Sequence, residues 1–413
     1  MCAAVLLLLL LPCAAAADAI RITTESDLRN VANDLTASYI LGNDITLTEP
    51  WTPIGSSSTP FTGTFDGNGY TVYNLSVNSI GNDVGFFGYT SAATITNLTL
   101  FDVTINGGMN VGGIAGGVKD GTTIDSCYVS GNLNATGNYL GGIVGIIPGT
   151  TPAGNSISRC AVSADLTSTA SIVGGIVGRW QGGSVHTNIS DCYFAGDIVS
   201  TNGVSGGIIG DLGVQSNGAT FTLSNCYAIG NITSTSETAS YIGGIIGVHS
   251  ANTLNLYNCV AAQRYLNASS VANAAPIAGY SSGVTSSGTY AYSRMMNGDT
   301  LFTYIAAGDK NSFFSDIYAG DENVYADSVA SAADLWDTYS TEGNTGVWSG
   351  FSTDVWKPNM GYPAYKLPVL KNQDIPVAGH ASYLNPDHTY GVLTFDIYTA
   401  VATTVVLSGL PTG

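Results

Sequence analysis

The run VGGIVGRW, Val173 to Trp180, decides the fold, because the chain writes it repeatedly. VGGIAGGV starts at Val111, LGGIVGII at Leu140, SGGIIGDL at Ser205 and IGGIIGVH at Ile242. The closing glycines are Gly116, Gly145, Gly178, Gly210 and Gly247. A weaker copy, VGFFG, closes at Gly88, and a decayed one, APIAG, at Gly279. Steps of 28 to 37 residues signal a solenoid or a propeller.

A second ladder runs between these phrases: IDSC, ISRC, ISDC, LSNC and LNLYNC, ending at Cys127, Cys160, Cys192, Cys226 and Cys259. Their steps are 33, 32, 34 and 33 residues. Three residues before each cysteine stands Ile124, Ile157, Ile189, Leu223 or Leu256. Five residues after come Asn132, Asp165, Asp197 and Asn231, then Arg264 where the pattern decays. From cysteine to closing glycine the gap is 18 residues three times, then 21 and 20. From glycine to the next cysteine it wanders between 11 and 16, so one side of the repeat carries loops that tolerate insertion.

Each segment is short, rich in Ile, Val, Thr and Tyr, and bounded by Gly, Asn, Asp or Ser, which are strand and turn signals. No helical spacing recurs, which argues against βαβ units, and a propeller blade usually needs about 40 residues or more. The expected fold is all-β: a parallel β-helix with capping elements at both ends and the start of a separate C-terminal β module. Coils stacked about 4.8 Å apart bury apolar columns that no single coil could bury alone. In GGIVG the central apolar pair is expected on a strand, with the flanking glycines permitting tight corners and close approach between coils.

The phrase resembles the GLUG motif of secreted and cell-surface proteins. The stretch from Asp27 to Val77, DLRNVANDLTASYILGNDITLTEPWTPIGSSSTPFTGTFDGNGYTVYNLSV, is similar to the opening cap of such β-helices. FSTDVWKPNMGYPAYKLPVL, Phe351 to Leu370, is similar to their exit segment. The resemblance covers about Ile20 to Leu370 and implies a β-helix on an exported surface protein; it supplies no catalytic residues. Within it, residues 18–80 form the N-terminal cap and first coils, 81–290 the GLUG-repeat β-helix, and 291–371 the C-terminal coils and exit cap. Leu28, Val31, Ala32 and Leu35, after Thr24 with Asp27 three residues on, predict a short amphipathic capping helix. Ser331 to Trp336 is expected to form a similar helical turn. Residues 372–413 break the pattern and read as a linker and partial β-sandwich-like module, with strands in YGVLTFDIYTA and ATTVVLSGLP. The chain stops without a natural close, as expected of part of a longer gene product.

Composition narrows the partners. Only 10% of residues are charged, against roughly 25% in typical soluble domains. Lys and Arg number 11 against 29 Asp and Glu, a formal charge of −18, which disfavours nucleic acid and anionic bilayers. Residues 1–17 read as a secretory signal peptide: an apolar core from Val5 to Leu11 precedes small residues Ala14 to Ala17, and the run is too short to span a bilayer. No Lys or Arg precedes that core, and Pro12 fits poorly with lipidation of Cys13.

The candidate sites each have a plain structural reading. The five cysteines are expected as small buried core residues, with metal binding, redox work or an occasional inter-coil disulfide as alternatives. Asp165 and Asp197 are paired carboxylates that could hold calcium or cleave polysaccharide, but the Asn/Asp alternation reads as a turn column. FDGNGY, Phe65 to Tyr70, lacks the distal glutamate of a calcium loop and reads as a turn. His186, His249, His380 and His388 are scattered, and neither H-E-x-x-H nor G-x-S-x-G occurs. Glycosylation sequons stand at Asn74, Asn97, Asn134, Asn188, Asn231 and Asn267. The expectation is a non-catalytic exported surface protein serving adhesion or a coat, without cofactor or transmembrane segment. Its expected partners are surface glycans, proteins of host or neighbouring cells, or copies of itself. A polysaccharide lyase or glycoside hydrolase is the alternative.

Overall fold

A computed structural model describes residues 18–149, 153–169, 172–181, 187–201, 203–213, 220–236, 241–250, 253–263, 265–268, 274–281, 284–291, 295–301, 306–308, 348, 350–358, 368–372, 383–384 and 390–391. The leader, the proposed turn at Ser331 to Trp336 and the strand in ATTVVLSGLP lie outside the described residues. The chain is a parallel β-solenoid. One coil shows its plan: strands Thr123–Asp125, Tyr128–Ala135, Tyr139–Gly141 and Val144–Ile147, hereafter faces one to four. The next coil returns to face one at Ser156–Ser158.

Each face is a parallel sheet. Among the described residues, face one has ten strands, from Ile20–Ile22 to Val284–Ser287; face two has thirteen; face three has six, from Val111–Gly112 to Ala274–Ala275; face four has eight, from Phe87–Ser91 to Ala306–Gly308. Register is strict where the ladders predicted it. Ile95, Ile124, Ile157, Ile189, Leu223 and Leu256 pair in succession on face one. Leu133, Leu166, Ile198, Ile232 and Leu266 do so on face two. All of these are fully buried or nearly so, and they belong to one continuous core.

Several local readings need correction. The repeated phrase is not a strand carrying its apolar pair: Gly142 and Ile143 form the bend between faces three and four. The phrase is therefore a narrow arch. Leu140, Ile143 and Val144 on its convex side are buried in the core, while its concave side is closed by glycine. A Cβ on Gly141 would lie 2.0 Å from the Val144 carbonyl oxygen, and one on Gly178 2.6 Å from that of Gly145 in the preceding coil. None of the repeat glycines Gly88, Gly116, Gly145, Gly178, Gly210 and Gly247 has a positive φ, so close approach fixes the residue type.

The turn column is also elsewhere. Asn132 and Asp165 lie inside the strands Tyr128–Ala135 and Ala161–Ser168, while Asp197 and Asn231 directly follow bends at Gly196 and Gly230; none of the four is left-handed. The left-handed corner is the residue just before each ladder cysteine, Ser126, Arg159, Asp191, Asn225 and Asn258, and Asn97 before Leu98, which holds the cysteine position one coil earlier; φ runs from 49 to 58°. Asn and Asp enter this region more readily than other non-glycine residues, and their amides chain along the corner. Asn225 Nδ2 donates to Asp191 Oδ1 at 3.1 Å, and Asn258 Nδ2 to Asn225 Oδ1 at 3.1 Å. In the coil that begins at Thr253–Tyr257, one more residue separates Ala261 from Leu266 than separates Ala228 from Ile232. Leu266 thus pairs with Ile232, and Tyr265 follows Asn231 in the Asn/Asp column.

The ends are finished differently from one another. At the start, Thr24 and Asp27 form a capping box on the helix Glu25–Arg29, which runs into a 3-10 turn at Asn30–Asn33. Leu28 and Val31 are buried in the core, but Ala32 is exposed because the tighter turn rotates it away from the coil. Burial opposes ionisation of Glu25, yet hydrogen bonds from Thr48 and Arg29 hold its carboxyl down at about 2. The described part of the expected exit cap lies along the side wall instead. Trp356–Pro358 pairs antiparallel with Pro368–Leu370, and this hairpin packs on face two. The reason is the outward rings of Tyr193 and Tyr227, stacked 5.0 Å apart, which need cover.

Candidate functional site

The outer wall carries the chemistry, since the interior is filled. Along face two, Asp165 Oδ1 accepts the Asp197 backbone N–H at 3.0 Å, Asp197 Oδ1 accepts that of Asn231 at 2.8 Å, and Asn231 Oδ1 accepts that of Tyr265 at 3.1 Å. Each side chain thus ties its coil to the next. The two carboxylates sit on successive coils with one oxygen each already engaged, a structural use that Asn serves equally well.

The cysteine column is inside. Cys127, Cys160, Cys192, Cys226 and Cys259 are fully buried and free of disulfides. The Cys160 thiol donates to the Ser158 carbonyl at 3.1 Å, and Cys192 Sγ accepts the Cys160 backbone N–H at 3.4 Å. Burial pushes the thiols of Cys127, Cys192 and Cys226 well up. Among the described residues, no group of three or more His, Cys, Asp or Glu is placed to hold a metal ion.

The remaining motifs also resolve locally. In FDGNGY, Asp66 Oδ1 accepts the Asn68 backbone N–H at 2.8 Å and the Asn97 amide at 3.0 Å, closing a turn in which Asn68 and Gly69 are left-handed. His249 is buried with Nδ1 3.4 Å from Ser281 Oγ, while His186, His380 and His388 lie outside the described residues. Of the sequons, Asn74, Asn97 and Asn188 are exposed; Asn134, Asn231 and Asn267 are half-buried in the face-two columns.

Two features had escaped sequence reasoning. The first is the aromatic clasp. Trp348, Phe351 and Trp356 pack within 4.8–5.0 Å of one another in sequence and around Tyr227 at 5.6, 6.2 and 5.8 Å. Trp356 Nε1 donates to Asp191 Oδ1 at 3.3 Å, and the Tyr227 hydroxyl to the Pro368 carbonyl at 3.0 Å. A tyrosine directly after the cysteine, in CYV, CYF and CYA, was the available signal.

The second lies at the mouth of the glycine arch. Arg179 on face four reaches one coil back to the Tyr139 hydroxyl on face three, 2.8 Å from Nη1, with its guanidinium 5.3 Å above that ring. Its Nε stands 3.1 Å from Asp211 Oδ2 in the next coil. Burial pushes the Asp211 carboxyl up, and Arg179 pulls it back toward ionisation. Further along, the rings of Tyr241 and Tyr280 meet at 5.4 Å, with Tyr280 36% exposed.

Comparison with known proteins agrees with the architecture. No family model matches the chain, so the GLUG resemblance rests on the residues quoted for it. The chain is 33% identical over 142 residues to Halomucin of Haloquadratum walsbyi, covering 30% of this chain and 2% of that protein. It is 34% identical over 121 residues to the immunoglobulin A1 protease of Streptococcus sanguinis, covering 28% of this chain and 6% of that one. The chain thus spans a small part of both relatives. A solved structure from Bacteroides ovatus, provisionally described as an immunoglobulin A1 protease, superimposes with a TM-score of 0.56. It covers 86% of this chain and 93% of its own at 20% identity. That likeness establishes the fold. No helix among the described residues is long and apolar enough to cross a membrane.

Proposed function

We propose that this chain is an exported β-helix of the GLUG type that serves as a non-catalytic adhesion or coat module at a cell surface. One observation carries the reading: the wall column containing Asp165 and Asp197 is built into the inter-coil bonding, so the best carboxylate pair in the repeats is spent on rigidity. The leader-like segment at residues 1–17 supports export, and the low charge supports a hydrogen-bonding exterior. Exposed Asn74, Asn97 and Asn188 are the sequons a glycosylating host would modify. The likeness to the protein provisionally described as an immunoglobulin A1 protease is one of fold and assigns no cleavage to this chain.

The test combines retention with turnover. Purified protein on beads should be held by cell-surface preparations while releasing neither reducing sugar from polysaccharides nor fragments from immunoglobulin A1. Reducing ends would favour the polysaccharide enzyme, and immunoglobulin fragments a peptidase; either outcome removes the non-catalytic reading.

A further inference from the structure

We propose that the arch-mouth strip from Tyr139 to Tyr280 binds a neutral linear glycan laid along the rod axis. The proposal rests on the adhesion reading and names its ligand class. The strip crosses coils in register. On face four, Arg179, Asp211, Val248 and Tyr280 are successive partners. On face three, Tyr139 pairs with Ile172, which pairs with Val204, and Tyr241 follows one coil later. Tyr280 therefore stands four coils beyond Tyr139, roughly 19 Å at the spacing of parallel strands.

The chemistry along that length suits a sugar chain. The Tyr241 and Tyr280 rings form a tilted platform, and an aromatic face is electron-rich, which attracts the C–H-bearing face of a pyranose. Between the platform and Tyr139 stand a guanidinium and a carboxylate, donor and acceptor side by side, as adjacent hydroxyls require. Both are already fixed by mutual contact, so binding orders little that is free. The glycines of each arch contribute no side chain to fill the mouth.

Charge selects among glycans. Arg179 is paired with Asp211, and the chain as a whole carries a formal −18, so a uronate chain meets repulsion without a free cation among the described residues of this strip. A neutral chain meets none. The span accommodates about four rings at roughly one ring per coil.

The experiment uses the full chain on an array of immobilised neutral gluco-, manno- and galacto-oligosaccharides of increasing length, with oligouronates as a parallel arm. The best neutral probe is then titrated against wild type, a Tyr241→Ala/Tyr280→Ala double variant, Arg179→Lys, and Thr233→Ala on face two as a control for folding and for binding elsewhere. Capture of neutral probes is expected, strengthening up to about four rings. The double variant should lose about tenfold or more in affinity and Arg179→Lys several-fold, with melting curves close to wild type and Thr233→Ala unchanged. Equal affinity in the double variant moves the site elsewhere and overturns the proposal while adhesion stands. Exclusive capture of oligouronates overturns it as well. If no glycan is captured but cell surfaces still retain the protein, this site fails and the adhesion reading survives; if neither binds, both fail. Should the double variant melt early, Arg179→Lys, which keeps the charge but not the planar fork, carries the test.

Discussion

Gly178 tests the arch most directly. Alanine there would set its Cβ 2.6 Å from the Gly145 carbonyl oxygen, 2.8 Å from that of Leu140 and 2.9 Å from the Leu140 carbonyl carbon. All three are backbone atoms held in parallel ladders, so no side chain can swing aside, and relief requires neighbouring coils to part. Overpacking of this kind costs about 1–3 kcal/mol or somewhat more. The lost freedom of the unfolded chain offsets about 0.4–1 kcal/mol, because Gly178 is not left-handed and alanine suits its backbone. A net loss of about 2 kcal/mol lowers a melting midpoint by roughly 4–8 °C in large domains. The control is Gly81→Ala, whose Cβ meets only Ser79 Oγ at 3.1 Å and which should melt within about 1 °C of wild type. The assay is thermal unfolding by circular dichroism, with both variants at matched concentration. If Gly178→Ala melts with wild type, the concave side of the arch is not closed by glycine packing and the reading of the repeat is wrong.

Other expectations follow from the same geometry. Cys192→Ala should cost on the order of 1 kcal/mol, as a small core truncation, and the five ladder thiols should react with a maleimide only in denaturant; labelling of the native protein would place the column outside. Asp165→Asn and Asp197→Asn should leave stability and any binding unchanged, since the amide oxygen still accepts the next coil's N–H; loss of a measured activity with the fold intact would restore these carboxylates as a site. Trp356→Ala should expose the 348–370 segment to limited proteolysis while the coils keep their melting transition, and a protease-resistant segment would contradict the clasp. The Glu25 carboxyl, lowered from 4.5 to about 2 in the folded chain, lends stability that is present above pH 4.5 and lost as pH falls toward 2. Glu25→Gln should flatten that acid limb, and an unchanged acid titration would show that the Thr48 and Arg29 contacts do not matter.

Period, sheet type and interior columns were legible in the chain because a solenoid puts like residues at like positions. The spacing of Ile124, Cys127 and Leu133 repeats coil after coil and converts directly into register. Local backbone shape was less legible. VGGIVG has the same letters whether it is a strand or an arch, and only the closeness of Gly145 to Gly178 distinguishes them. The Asn/Asp column was visible, but its hydrogen bonds cross between coils, so it looked like a local turn. The corner column hid because Ser126 and Arg159 occupy it beside Asn and Asp. The tyrosine after each cysteine marked a wall that needs cover, but not the segment that covers it: Trp356 and Asp191 are 165 residues apart, and no period connects them.

The clasp also acts as a gauge of length. It touches Asp191 through Trp356, Tyr227 through Pro368, and Asn258 beneath Gly350, three consecutive turns of one rod. Coils elsewhere meet only their neighbours, so a duplication of one repeat before Cys160 lengthens the rod and disturbs nothing downstream. The same duplication between Asp191 and Asn258 would move the clasp's footholds apart by the thickness of a coil. A repeat can be added before Cys160 without touching the clasp, and the clasped turns form the segment whose number is counted.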